Sequence, residues 1–162
     1  MQLRPIVKRA AILATLLAVL PVSGAGAQAS THIGMRVGYN FDLEEVLLSA
    51  NLTVPMTSHI EFYPSLDIYT PEQGNRVGFN GDVKVMLPRS TATGPQFYVG
   101  AGLGIVNSNV GDVSNTDIGA NLLGGLESRV GWIHPFAEAK ILIHDRTQFV
   151  LLGGINLTLG QR

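Results

Sequence analysis

Gln96-Phe97-Tyr98-Val99-Gly100-Ala101-Gly102-Leu103-Gly104-Ile105 is the stretch whose reading decides the fold. Its odd positions are all apolar, and its even positions hold Gln, Tyr and three glycines. Period two is the spacing of a β-strand with two unlike faces, because successive side chains point to opposite sides of a sheet. An amphipathic helix would need apolar residues at steps of three and four, and they are missing.

Seven further segments share this rhythm. His32 to Phe41 sets Ile33, Met35, Val37, Tyr39 and Phe41 against Gly34, Arg36 and Asn40. Glu45 to Pro55 sets Val46, Leu48, Ala50, Leu52 and Val54 against Ser49, Asn51 and Thr53. His59 to Tyr69 alternates Ile60, Phe62, Pro64, Leu66 and Ile68 with Glu61, Tyr63, Ser65 and Asp67. Pro64 removes a ladder donor there, so a bulge or a broken pairing is expected. Val77 to Leu87, Asp117 to Val130, Ile133 to His144 and Gln148 to Gly160 complete the set. Turn-like clusters divide them, such as Pro71 to Asn75 and Ser90 to Pro95. The longest loop is expected at Asn107–Thr116. Others are expected near Phe41–Glu45, Thr70–Arg76 and Asp145–Thr147.

Eight strands of about ten residues suit the smallest transmembrane barrel. Short connections favour a next-neighbour antiparallel meander. The fold class expected is therefore all-β, an eight-stranded antiparallel up-and-down transmembrane β-barrel.

Alternation leaves open which face is outside. A soluble ligand-binding barrel would put its apolar residues inward; a membrane barrel inverts this. The polar face is crowded with glycines, including Gly34, Gly38, Gly100, Gly102, Gly125 and Gly154. On a water-facing surface these would only weaken strands. In a narrow lumen they make room for large neighbours. The same face carries Arg36, Lys84, Arg129 and Lys140 against Glu61, Asp67, Asp82, Glu127 and Glu138. A near-balanced set is what a packed polar interior requires, because buried charges need partners. These nine residues are expected to form a structural charge network in the lumen. The aromatic girdle is expected from Trp132 and Phe136 at one end and Tyr39, Phe41 and Phe149 at the other.

The first 29 residues read as a leader. Arg4, Lys8 and Arg9 precede an apolar stretch from Ala10 to Val22, and Ala27-Gln28-Ala29 offers an A-x-A cleavage site. This is the order of a secretory signal peptide, so a barrel domain of residues 30–162 is expected after cleavage near Ala29. Beyond Ala29 no run of apolar residues is long enough for a spanning helix. The chain has 12 acidic and 11 basic residues, with the basic ones scattered. That excludes a basic nucleic-acid surface. Cysteine is absent, so neither disulfides nor thiolate metal sites arise.

The pieces Phe97 to Gly104, Pro135-Phe136-Ala137-Glu138-Ala139-Lys140 and Gly153-Gly154-Ile155-Asn156-Leu157-Thr158-Leu159 resemble the small eight-stranded outer-membrane β-barrel family, opacity-like and related barrel domains. The resemblance runs from Thr31 to Gly160. It implies residence in the outer membrane, insertion by the outer-membrane assembly machinery, contact with membrane lipid and lipopolysaccharide, and a monomer. Such proteins commonly end in an aromatic residue; here Leu159 stands nearest that place.

Some small membrane barrels modify lipid A, which takes hydrolase equipment. A serine hydrolase needs a nucleophile, a base and an orienting acid within reach. His144 is followed by Asp145-Arg146-Thr147 with no adjacent serine, and His134 by Pro135. Ser128 and Glu127 fall on opposite faces of one strand. The histidines at 32, 59, 134 and 144 are dispersed, and no metal-binding run occurs. Asp112 and Asp117 read as solvated loop acids. No catalytic, cofactor or metal site is therefore assigned. A pore is not expected, because an eight-stranded interior is only wide enough to be filled by side chains. Tyr63, Tyr69 and Tyr98 would help to fill it. The functional expectation is a non-enzymatic outer-membrane barrel with an envelope-structural or weak surface-interaction role. The alternatives are an exported lipocalin-like barrel binding an apolar ligand, and a lipid-A-modifying esterase using His144.

Overall fold

The computed structural model describes residues 30–89, 91, 94–111 and 113–159. The expected leader, 1–29, and its cleavage site lie outside the described residues. Eight strands follow in order: β1 (His32–Asn40), β2 (Glu45–Pro55), β3 (Ile60–Tyr69), β4 (Asn75–Met86), β5 (Gln96–Val110), β6 (Val113–Glu127), β7 (Ile133–Ile143) and β8 (Thr147–Thr158). Each pairs antiparallel with its neighbours, and β8 returns to β1 to close the barrel. Closure is in register: Arg36 on β1 lies opposite Ser49 on β2 and Gly154 on β8. A closed ring leaves no edge within the barrel wall. The mouth holding the first residue of β1 and the last of β8 is termed the lower mouth, the other the upper.

The alternation has one outcome in every strand: the face that is regularly apolar points out. Among the described residues 32 large apolar side chains are exposed, including Met35, Leu48, Ile68, Leu103 and Leu122. Burying one such side chain is worth about 1.5–3 kcal/mol in water. So many left outside, around a lumen of buried charges, are what a lipid-facing wall requires. The faces are opposite to those of a soluble ligand-binding barrel.

Glycine sets the bore. A Cβ on Gly125 would stand 2.5 Å from the Tyr98 hydroxyl, and one on Gly154 would stand 2.8 Å from Arg36 Cβ. Tyr98 and Arg36 lie in the lumen because the neighbouring strand has no side chain there.

Pro64 breaks the ladder without shifting it. Thr70 N donates to Val46 O at 2.9 Å, so every second pair below it, down to Leu52 opposite Pro64, is of the hydrogen-bonded kind. Proline has no N–H. The Leu52 carbonyl lacks its donor from β3, and pairing lapses at Leu52 and Thr53. It resumes in the same register at Val54 opposite Phe62.

Two expectations need correction. Asn107–Thr116 is not a long loop: β5 and β6 run on through it and stay paired to Val110 opposite Val113. Gly111 takes φ 59° in the turn, the positive value that tight hairpin turns demand. The polar Asn and Ser residues that read as loop are paired strand facing water. Phe136 is also not part of the girdle. It lies at an even position of β7 and points into the lumen, 6% exposed. The lower rim keeps Trp132. At the upper rim Tyr39 meets Phe41 edge-on at 5.1 Å, and Phe41 lies 5.7 Å from Phe149.

Candidate functional site

The lumen is built in layers, because inward positions recur every second residue on each strand. At mid-depth Arg36 uses all five of its N–H groups. Its Nε donates to Ser49 Oγ (2.8 Å), Nη1 to Tyr63 OH (3.0 Å) and Glu138 Oε1 (2.8 Å), and Nη2 to Ser65 Oγ (2.7 Å) and Asp67 Oδ1 (3.1 Å). Tyr98 OH donates to the other oxygen of Glu138 at 3.0 Å. Amides carry the bonding round the wall. Asn80 Nδ2 donates to Asp67 Oδ2 (2.8 Å), and Asn121 Nδ2 donates to Asn80 Oδ1 (2.9 Å) and Asp82 Oδ1 (2.8 Å). Lys140 Nζ closes on Asp82 Oδ2 at 2.8 Å.

Below this, Lys84 Nζ stands 3.6 Å from Glu61 Oε2 and lies over the rings of Tyr63 (3.9 Å) and Tyr98 (4.7 Å). A desolvated ammonium between aromatic faces is held by their quadrupoles as well as by its carboxylate. Arg129 sits beyond the end of β6. Its guanidinium turns back to Glu61 Oε1 (2.6 Å) and Glu127 Oε2 (3.1 Å), capping the lower mouth. Asn156 Nδ2 donates to Glu127 Oε1 at 2.7 Å. His32 and His134 pack beside it with rings 4.8 Å apart. The structure thus places all nine expected charged residues in the lumen and brings them into contact.

Two further layers lie above, of which the sequence reading anticipated only Tyr69. Leu47, Tyr69, Leu142, Val150 and Leu152 form an apolar gasket in the upper half of the lumen. Above it lies a separate ion pair, Arg76 Nη1 with Glu45 Oε2 at 2.7 Å. Parity was the available signal. Arg76 shares the even face of β4 with Asp82 and Lys84, but falls before the Val77 at which the strand was expected to begin.

The gasket floors a recess at the upper mouth, lined by Arg76, Ser108, Asp117, His144 and Gln148 and enclosing about 50 Å³. Both ring nitrogens of His144 are buried and without a hydrogen-bond partner. Burial holds His144 below the ordinary imidazole pKa, partly offset by Asp117 and Asp145. Serine, histidine and aspartate thus share one recess, yet no hydrogen bond joins His144 to Ser108 or Asp117. Ser108 Oγ instead accepts from Arg76 Nε at 3.0 Å. No proton relay is formed. Among the described residues no three ligating side chains gather to hold a metal ion.

Beyond the upper rim β5 and β6 continue as a ribbon. β4 follows β5 as far as Asn75 opposite Asn109, but β7 pairs with β6 only from Ala120 down. Residues 113–119 of β6 therefore have a free edge. Ser128 N donates to Pro135 O at 2.9 Å, which fixes the even residues of β6 as those bonding towards β7. Ser114, Thr116 and Ile118 accordingly present N–H and C=O to open surroundings.

No protein-family model matches the chain, and no curated protein does. Solved structures do. The N-terminal β-barrel domain of Pseudomonas aeruginosa OprF has TM-score 0.70 at 18% identity, covering 82% of this chain and 98% of that one. Neisserial surface protein A has TM-score 0.52 at 12% identity, covering 80% and 95%. Ail, the attachment invasion locus protein of Yersinia pestis, has TM-score 0.51 at 11% identity, covering 80% and 97%. This chain has the fold of the small eight-stranded outer-membrane barrels.

Proposed function

We propose that this chain is a non-enzymatic barrel of the outer membrane, with a closed lumen, whose work is done at the cell surface by the β5–β6 ribbon. Delivery by its leader, insertion by the outer-membrane assembly machinery, and contact with lipid and lipopolysaccharide as a monomer belong to the same reading. The upper mouth then faces outward from the cell. The observation that carries the reading is the free edge of residues 113–119, since an unpaired strand edge is a template for another strand. A second copy in the same membrane is a poor occupant, because antiparallel pairing about a two-fold axis would turn it upside down. An extended segment of another polypeptide fits. An esterase role is disfavoured by the hold of Arg76 on Ser108 and by the absence of a histidine relay.

The test is site-specific photocrosslinking in whole cells from position 116, with position 146 as control. The expected outcome is a discrete polypeptide adduct from 116 alone, which disappears when Ile118→Pro removes the neighbouring edge donor. Proline is tolerated where its missing N–H faces outward from a sheet edge, so that variant should still fold and show a heat-shifted band on a denaturing gel. Crosslinks to lipid only, or equal adducts from both positions, would leave the barrel without a strand-pairing partner and sink the proposal.

A further inference from the structure

From the upper-mouth recess we infer that this barrel binds the edge of a neutral saccharide, gripping a pair of neighbouring hydroxyls with Asp117, His144 and Gln148. The site is distinct from the ribbon edge, whose exposed N–H groups point along the sheet and away from the lumen.

The chemistry of the lining selects the ligand. Arg76 is engaged by Glu45 at 2.7 Å, while Asp117 has no ion-pair partner among the described residues, being met at 2.9 Å by the Asn115 amide. Among the lining residues there is therefore one uncompensated carboxylate and no free cation to draw in a phosphate or another carboxylate. A dehydrated metal ion would need more ligating side chains than the two that face the recess. An apolar ligand would leave the two buried nitrogens of His144 unsatisfied, a cost on top of the missing contacts.

Hydroxyl groups meet every requirement, because each both donates and accepts. A neutral imidazole offers one donor and one acceptor. Asp117 offers acceptors, and Gln148 retains its amide N–H groups because its Oε1 is the atom taken by Asn40 Nδ2 (2.8 Å). The enclosed volume of about 50 Å³ admits one or two polar groups and no sugar ring. The ring would stand at the rim against the inward face of the ribbon, where Ser108 and Asn115 lie below Val110 and Val113. Below, the Leu47, Leu142, Val150 and Leu152 gasket bars passage, so the ligand is held at the mouth without being transported.

The experiment is nuclear magnetic resonance of histidine-labelled protein in phosphocholine micelles, which avoids the sugar headgroups of glycoside detergents. Glucose, galactose, mannose and N-acetylglucosamine are titrated separately, with inorganic phosphate as the anionic control. The expected result is a saturable shift of the His144 ring signals in the millimolar range with at least one sugar. His32 and His134, at the other mouth, should not respond. Asp117→Asn should weaken the response by about tenfold or more, as expected for loss of a charge-assisted hydrogen bond. Gln148→Glu, which keeps the acceptor for Asn40 and removes the amide N–H groups, serves as a second variant if that protein fails to fold. Three results would each overturn the inference: no saturable shift with any sugar, a shift with phosphate, or undiminished binding in the folded variants. None of them bears on crosslinking from position 116, so the two readings fail separately.

Discussion

Replacing Arg36 with methionine tests whether the lumen is held by its charges. The substitution keeps an unbranched apolar stem and removes all five guanidinium bonds. Asp67 and Glu138 are then buried without their cation. Breaking a buried pair by deleting one partner costs about 3–5 kcal/mol. The lower end applies here, because Asp67 keeps Ser49 Oγ (2.5 Å) and Asn80 Nδ2 (2.8 Å), and Glu138 keeps Tyr98 OH (3.0 Å). A loss of about 3 kcal/mol is a little over two orders of magnitude in the unfolding equilibrium. The compensating variant is Arg36→Met with Asp67→Asn and Glu138→Gln, which leaves no carboxylate unpaired at that level. It should recover at least about 2 kcal/mol of the loss, since neutral replacements of whole buried ion clusters are often tolerated. Urea unfolding in lipid vesicles, followed by fluorescence of the single tryptophan, Trp132, measures both. A single variant losing less than about 1 kcal/mol, or a triple variant no more stable than the single, would refute the reasoning.

Three more expectations concern the bore, the lumen and the upper mouth. Gly125→Ala should cost about 1–3 kcal/mol through overpacking against Tyr98 and the Ala137 carbonyl. The adjacent Gly124→Ala, whose Cβ would face outward and meet only the Tyr98 carbonyl oxygen at 3.8 Å, should stay within about 0.5 kcal/mol of the parent; equal effects in urea titrations would mean the faces are misassigned. Purified protein in planar bilayers should give no steady single-channel conductance, because the apolar gasket, the charged middle and the Arg129 cap close the lumen; resolved unitary steps would contradict a closed lumen. For His144 the sign runs towards acid. Its folded-state pKa lies below the ordinary value, so the folded protein binds this proton more weakly than the unfolded chain does. Stability should therefore fall as pH drops below about 6.5 and level off beneath the folded value. His144→Asn should reduce the slope of that part of a stability–pH curve, and an unchanged slope would place the acid sensitivity elsewhere.

Strand count, strand type and the inward face were legible in the residues because they rest on local geometry. Side chains alternate whatever the strand pairs with. Glycine and charge on one parity, with Val, Leu and Ile on the other, specify a polar lumen within an apolar wall. The reading failed where an assignment depended on residue polarity without parity. Phe136 looked like girdle and lies inside. Asn107–Thr116 looked like loop because its residues are polar, yet it is paired strand that has left the apolar zone.

The sequence by itself therefore determined an eight-stranded barrel and the inward face of its wall, since period-two patterning and turn chemistry act between near neighbours. Only the tertiary structure decided which charge meets which. Arg36 and Glu138 are 102 residues apart in the chain, and their contact exists because β8 closes on β1 in one register. Closure likewise ranked the lumen into layers, set Arg76 against Glu45, and left His144 over an apolar floor. It also left the outer edge of β6 unpaired, because β7 stops at Ile143 while β6 runs on. Relative strand length beyond the rim depends on where neighbours end, and no alternation within a single strand records it.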